Sequence, residues 1–320
     1  MNIRTLTLLL AGFMASLMIS QAHAESIVKP FVLASSESGD LIQVLNSTRA
    51  KLGSAGFEIL GEYSPYPTAS IIVFTNATLK NAAKKSARGG YGGALRASVT
   101  EVDGKIQVVY TDPVYWSNAY RMEDDLQPVG KVLSAALGDL DHFGTGEKKL
   151  TTSDMRKYHY TVLMEYFDDP SDLAEYTSHQ EAVEVVEKNL RAGAGGARKV
   201  FRLDLGEDPK GKQMTLFGVA LDGSDTDECS GDKYIMGKID RSSPRHTAHL
   251  PYEILVYGPA IEALYARFRI ALSWPHLPML ASETGATFFS IMCAPGAIER
   301  ALTLVAGNNA SKGALKKTDR

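Results

Sequence analysis

Apolar side chains at Leu41, Leu45 and Leu52, and again at Val183, Val186 and Leu190, recur three, four and seven residues apart. That spacing places them on one face of a helix. Other short stretches alternate or run apolar, as strands do. The pattern also repeats along the chain. Leu60-Gly61-Glu62 with Pro65 recurs as Leu205-Gly206-Glu207 with Pro209, and Val109-Tyr110 with Pro113 recurs as Val256-Tyr257 with Pro259. Eight residues beyond each second proline stands an arginine, Arg121 and Arg267, each close to a tyrosine, Tyr120 and Tyr265. Order and spacing agree in both halves, so the chain reads as two copies of one unit.

Each copy is expected to run strand, helix, hairpin, variable loop, second hairpin, then a helix opening at a proline, where the missing N–H costs nothing. In the first copy these elements fall at roughly 28–34, 39–54, 57–63, 69–75, 95–102, 105–111 and 113–138. In the second they fall at roughly 158–167, 178–192, 198–205, 213–221, 233–239, 251–257 and 259–273. Strands joined by short turns pair antiparallel, and the helices must cover one face. The expected fold is therefore α+β: two fused copies of a small module, each an antiparallel sheet covered by helices on one face. The apolar run Phe288 to Cys293 reads as one more strand, followed by a Pro-Gly turn and a helix through Ile298 and Leu302.

The first 24 residues carry one charge, Arg4, an apolar run from Leu6 to Ile19, and Ala22-His23-Ala24. This is the layout of a secretory signal cleaved after Ala24. The run is too short to span a bilayer, and no later stretch is long and apolar enough, so no membrane insertion is expected. The expected organisation is a signal peptide at 1–24, a first repeat at 25–150, a second at 151–308 with the extra strand and helix, and a basic, disordered tail at 309–320. The protein is expected in the periplasm or secreted.

Composition is that of a folded chain, 44% hydrophobic and 22% charged over 320 residues. With 34 basic against 37 acidic side chains the formal charge is −3, which gives no global field for nucleic acid.

The stretch Ile71 to Phe74, then Gly92-Gly93-Ala94-Leu95-Arg96, Glu101-Val102-Asp103-Gly104-Lys105 and Val108-Val109-Tyr110-Thr111-Asp112-Pro113, resembles the bacterial family called domain of unknown function 302. The resemblance covers about residues 28 to 140 and reaches the second half only through the internal repeat. It implies a small α+β unit similar in layout to the TATA-box-binding-protein-like folds. It implies no activity.

Several chemical motifs are imitations. The run from Gly206 to Gln213 approaches a P-loop, but Gln213 stands where a Ser or Thr would reach magnesium, and a strand-like stretch follows. Gly193 to Arg198 imitates a dinucleotide fingerprint but closes a helix instead of opening one. Cys229 and Cys293 are the only cysteines. In an exported protein they either form a disulfide or leave Cys293 as a buried small hydrophobe. Cys229, His246 and His249, with His276, Met236 and Met279 nearby in sequence, would make a soft set for copper, against the simpler reading of surface histidines.

The copies differ most in charge. Residues 80–96 hold Lys80, Lys84, Lys85, Arg88 and Arg96 and no acid, while 222–232 holds five acids and no base. Loop 80–96 is expected either to dock on 222–232 or to bind a separate anionic partner. The sequence thus points to an exported, non-catalytic ligand-binding or protein-interaction module without a cofactor. Its candidate binding residues are Lys84, Lys85, Arg88, Arg96, Tyr120, Arg121, Tyr265 and Arg267, and its partner a small anion or a protein, with homo-oligomerisation open. The alternatives are periplasmic copper handling and an enzyme with a site between the repeats.

Overall fold

The computed structural model describes residues 26–225 and 227–308; the expectations for 1–24 and for the tail at 309–320 lie outside them. The chain is α+β, with two antiparallel sheets. The first half runs β1 (Phe31–Glu37), α1 (Leu41–Ser54), β2 (Glu58–Tyr66), β3 (Ala69–Thr75), α2 (Ala77–Ala83), β4 (Leu95–Val102), β5 (Lys105–Thr111), α3 (Pro113–Ala119), α4 (Gln127–Leu137) and β6 (Asp141–Phe143). After α5 (Thr152–Arg156) come β7 (Ser171–Glu175), α6 (His179–Arg191), β8 (Ala197–Glu207), β9 (Gln213–Leu221), α7 (Asp232–Ile239), β10 (Tyr252–Tyr257), β11 (Ala260–Ala263), α8 (Ala266–Ser273) and α9 (Ala294–Val305). The strand order is β2-β3-β4-β5-β1-β6 in one sheet and β7-β11-β10-β9-β8 in the other.

Local chemistry sets these boundaries. Asp40, Asn76 and Ser178 cap α1, α2 and α6, each side chain accepting a backbone N–H of the first turn. Asp112 caps α3 just ahead of Pro113. Asp103 and Gly104 both take positive φ, 51° and 75°, in the tight turn joining β4 to β5. Helix α1 packs on β2 to β5 with α4 against it, while α6 and α9 pack together on the second sheet.

Five segments depart from the sequence reading. The helix expected over 113–138 breaks into α3 and α4, because Arg121 and Leu126 turn the backbone to φ 50° and 56°. Residues 158–167 form turns and no strand. Two of their apolar groups serve as plugs, Phe167, which is buried, and Tyr158, whose hydroxyl donates to the Ala271 carbonyl at 2.9 Å. The stretch 233–239 is helical, since Ile235, Met236 and Ile239 make one buried face. Within 259–273, Gly258 (φ 59°) turns the chain so that β11 pairs with β10 before α8 begins. The run Phe288 to Cys293 likewise pairs with no strand; its middle is a 3₁₀ turn, Phe289–Ile291.

The halves meet along an extensive seam. The turn Gly89–Gly92 packs on β9 and β10, and the turn Thr247–His249 packs on β3, β4 and β5. Strands β2 and β8 approach so closely that a Cβ at Gly61 would sit 2.1 Å from the Val200 carbonyl oxygen. Only glycine fits there.

Candidate functional site

The chemistry-bearing side chains concentrate at the seam, and most are buried. Arg96, on β4, is 2% exposed and forms an ion pair with Glu253 of β10. Arg269 of α8 lies 3.7 Å from the same carboxylate and donates to the carbonyls of His249 and Pro251 at 2.7 and 2.6 Å. Burial, with the Arg269 charge behind it, pushes the His249 imidazole well below its ordinary range, so the ring is neutral at pH 7. It is held by the Ser273 hydroxyl at 2.7 Å. Arg88 grips Glu262 of β11 at 2.8 and 3.0 Å. Burial raises the Glu262 carboxyl against the pull of Arg88. The Tyr63 hydroxyl donates to Asp232 at 3.0 Å. Burial pushes Asp232 up to about 7.

The Arg96–Glu253, Arg88–Glu262 and Tyr63–Asp232 contacts rivet one half to the other, which gives two of the sequence-nominated cations a structural role. Arg88 and Arg96 face carboxylates of the second half, Arg96 at 2% exposure and Arg88 with 28% of its side chain still exposed. Tyr120 is 1% exposed, clustered with Trp116 at 5.5 Å and Phe167 at 5.6 Å between ring centroids. Burial pushes its hydroxyl up to about 12. Lys85 pairs with Asp124 at 2.9 Å, and Lys84 is exposed.

Arg121 and Arg267 do not occupy equivalent positions. Arg121 sits in the turn after α3 and pairs with Asp168 at 2.8 Å, whereas Arg267 opens α8 and pairs with Glu165. Tyr265, at the start of α8, lines a surface groove. Nor do loops 80–96 and 222–232 dock on each other among the described residues. Asp225 accepts from Gly195 N at 2.8 Å, Asp227 caps Cys229 N at 3.0 Å and pairs with Arg300, and Asp232 is buried. Asp225 and Asp227 spend their charge inside their own half, and Asp232 takes the Tyr63 hydroxyl of the first.

Cys229 and Cys293 are joined in a disulfide, which takes the Cys229 thiol out of the copper set. His246 and His249 are both buried, at 2% and 0% exposure, instead of lying on the surface. Among the described residues no group of three or more His, Cys, Asp or Glu could hold a metal ion. The P-loop imitation is the β8–β9 turn, where Asp208 accepts the N–H groups of Lys210 and Lys212 at 2.8 and 3.0 Å.

What the seam leaves open is a cavity of about 460 Å³. Tyr66, Thr100 and Glu101 of the first half line it, with Met236 and Asp240 of the second behind them. Lys233, Arg241 and Arg245 are the cations of its lining. Arg241 donates to the carbonyls of Gly237 and Thr284, and Arg245 to the carbonyl of Asp240. None of the three makes an ion pair with a carboxylate among the described residues, unlike Arg49, Arg88, Arg96, Arg121, Arg267 and Arg300. The Asp240 carboxylate is committed to His246 N at 2.8 Å, and the Tyr66 hydroxyl shares a 3.1 Å bond with Thr247. Burial pushes that hydroxyl up to about 12, so it stays protonated.

Sequence reasoning missed Glu253, Glu262, Arg269 and the cavity cations. A lone acid inside an apolar run, as in Tyr252-Glu253-Ile254-Leu255, was the available signal, since such a group is buried only with a partner. Nothing in the spacing of Lys233, Arg241 and Arg245 shows that they converge.

No family model and no curated protein matches the chain. Among solved structures, the crystal structure of an uncharacterized conserved DUF302 protein from Bacillus stearothermophilus is similar at 15% identity, covering 33% of this chain and 94% of that one with a TM-score of 0.30. No helix among the described residues is long and apolar enough to cross a membrane.

Proposed function

We propose that the protein is an exported, non-catalytic binding protein built from two copies of one α+β module, taking a small anionic ligand in the cavity between them. Support for two copies comes from connectivity. β2-β3-β4-β5-β1 and β8-β9-β10-β11-β7 have the same order and the same intervening helix, α1 or α6. In each half, the 3₁₀ turn before the third strand of this series (β4 or β10) reaches across onto the other sheet. Export is supported by the signal-like residues 1–24 and is consistent with the disulfide.

The observation that carries the ligand class is the set of Lys233, Arg241 and Arg245 without carboxylate partners in a cavity of about 460 Å³. Cavities of this size at domain interfaces are the usual places for small ligands. A carboxylate or phosphate oxygen satisfies the cations, and Met236 and Pro67 supply apolar wall. A non-catalytic role is supported by the burial of Arg96, Glu253, Arg269 and His249, which keeps these side chains out of reach of a solute. Native mass spectrometry of protein taken directly from its compartment tests the reading. A co-purifying anion, absent from the K233A/R241A/R245A variant, supports it; a chain of bare mass from residue 25 in both contradicts the ligand, and an unprocessed chain contradicts export.

A further inference from the structure

Seven of the eleven exposed large hydrophobic residues described lie together. Leu163 is 97% exposed, Leu280 76%, Met292 69% and Phe289 59%. They line two adjoining depressions that share Met164 and Tyr265, one of them a groove of about 460 Å³ between the start of α8, residues 279–292 and the start of α9. Contiguous exposed apolar surface of this kind marks an interaction site. Methionines at 164, 279 and 292 give it an unbranched, adaptable lining. The disulfide joins Cys293, beside Met292, to Cys229, so the wall at the start of α9 is tied to the second sheet's loop.

The charge around the groove says what covers it. Glu165, Asp169 and Glu299 stand against a single cation, Arg267. Arg267 takes one Glu165 oxygen; the other, Oε2, is buried with no hydrogen-bond partner. Glu299 forms no ion pair among the described residues, although its charge reaches the Tyr265 hydroxyl. An apolar occupant without cations would desolvate these carboxylates uncompensated. We infer that the groove docks an apolar segment of a partner protein flanked by Lys or Arg, the apolar side chains seated among the methionines and the cations on Glu299 and the exposed Asp169.

The probe is a pair of fluorescent synthetic peptides with the same leucine face, one with lysine and one with glutamate at the remaining positions. Titrated into the oxidised protein at low salt, the leucine-lysine peptide is expected to bind saturably and at least ten-fold tighter than its counterpart. F289D/M292D should abolish binding, and E299K should narrow the difference between peptides. Each variant is first shown by circular dichroism to melt as wild type does. Equal binding of both peptides, no binding of either, or binding untouched by F289D/M292D overturns the inference. So does a dimer in light scattering that F289D/M292D splits, because the occupant is then a second copy. None of these changes touches the seam cavity, so failure here leaves the anion-binding reading standing.

Discussion

Two buried guanidiniums share one buried carboxylate at the seam, Arg96 and Arg269 with Glu253, and this imbalance sets an order among their substitutions. Replacing Glu253 with glutamine leaves two positive charges, each about 2% exposed, with no counter-charge between them. Breaking a buried pair in this way costs about 3–5 kcal/mol. Replacing Arg96 with methionine leaves Glu253 its second partner, Arg269 at 3.7 Å, and a neutral pair. The expected loss is then about 1.5–3 kcal/mol, that of an interaction with a charged group. Against a total stability of about 5–15 kcal/mol, E253Q is a severe change. The double variant removes one of the two stranded like charges, so it should be more stable than E253Q alone, with a coupling of about 0.5–3 kcal/mol. Urea unfolding at pH 7, followed by circular dichroism and by fluorescence of the buried Trp116 and Trp274, measures all four corners of the cycle. If R96M costs more than E253Q, or the two effects simply add, the seam is not held by a charge-imbalanced triad.

Asp232 titrates near 7 in the folded chain because burial disfavours its anion. The folded state therefore binds a proton that the unfolded state has released, and stability from this group falls as pH rises from about 4 to about 7. D232N should flatten that part of the stability profile and raise stability at pH 8; an unchanged profile contradicts the assignment. His142 contacts Asp112 at 2.9 Å and Asp139 at 3.1 Å. Its pKa is raised, chiefly by the hydrogen bond to Asp112. Its contribution is present below the ordinary histidine range and is lost as pH rises through the raised value, so H142A should destabilise at pH 5 more than at pH 9, read by thermal unfolding at both. Replacing both cysteines with alanine opens a loop with a sequence separation of 64 residues. It should cost about 4 kcal/mol in the chain-entropy account; equality with the oxidised wild type in urea refutes it.

Elements set by local chemistry were legible in the sequence. Helix α6 follows from Val183, Val186 and Leu190 behind a capping Ser178, and the β4–β5 hairpin from Asp103-Gly104. Elements whose identity depends on distant partners were not. No glycine or asparagine announces the turns at Arg121 and Leu126, which rest on how α3 and α4 pack. Anchoring Val256-Tyr257 on Val109-Tyr110 placed β10 opposite β5, and so hid β11 and set Arg267 beside Arg121 in the wrong frame. The expected inter-loop docking failed for a similar reason. The cations of 80–96 find acids elsewhere in the fold, Glu262 for Arg88 and Glu253 for Arg96, and separation along the chain conceals those pairings. The cavity cations illustrate the limit most clearly, because α7 and the segment after it bring Lys233, Arg241 and Arg245 against β4 only once the halves have closed.

The most direct test of anion binding at the seam is calorimetric titration of citrate and of inorganic phosphate into the wild-type protein and into K233A/R241A/R245A. The account predicts saturable one-to-one binding of at least one of them, weakened as salt rises toward ~1 M, where the screening length is about 3 Å, and lost in the triple variant. No heat with either anion, or equal binding by wild type and variant, contradicts it.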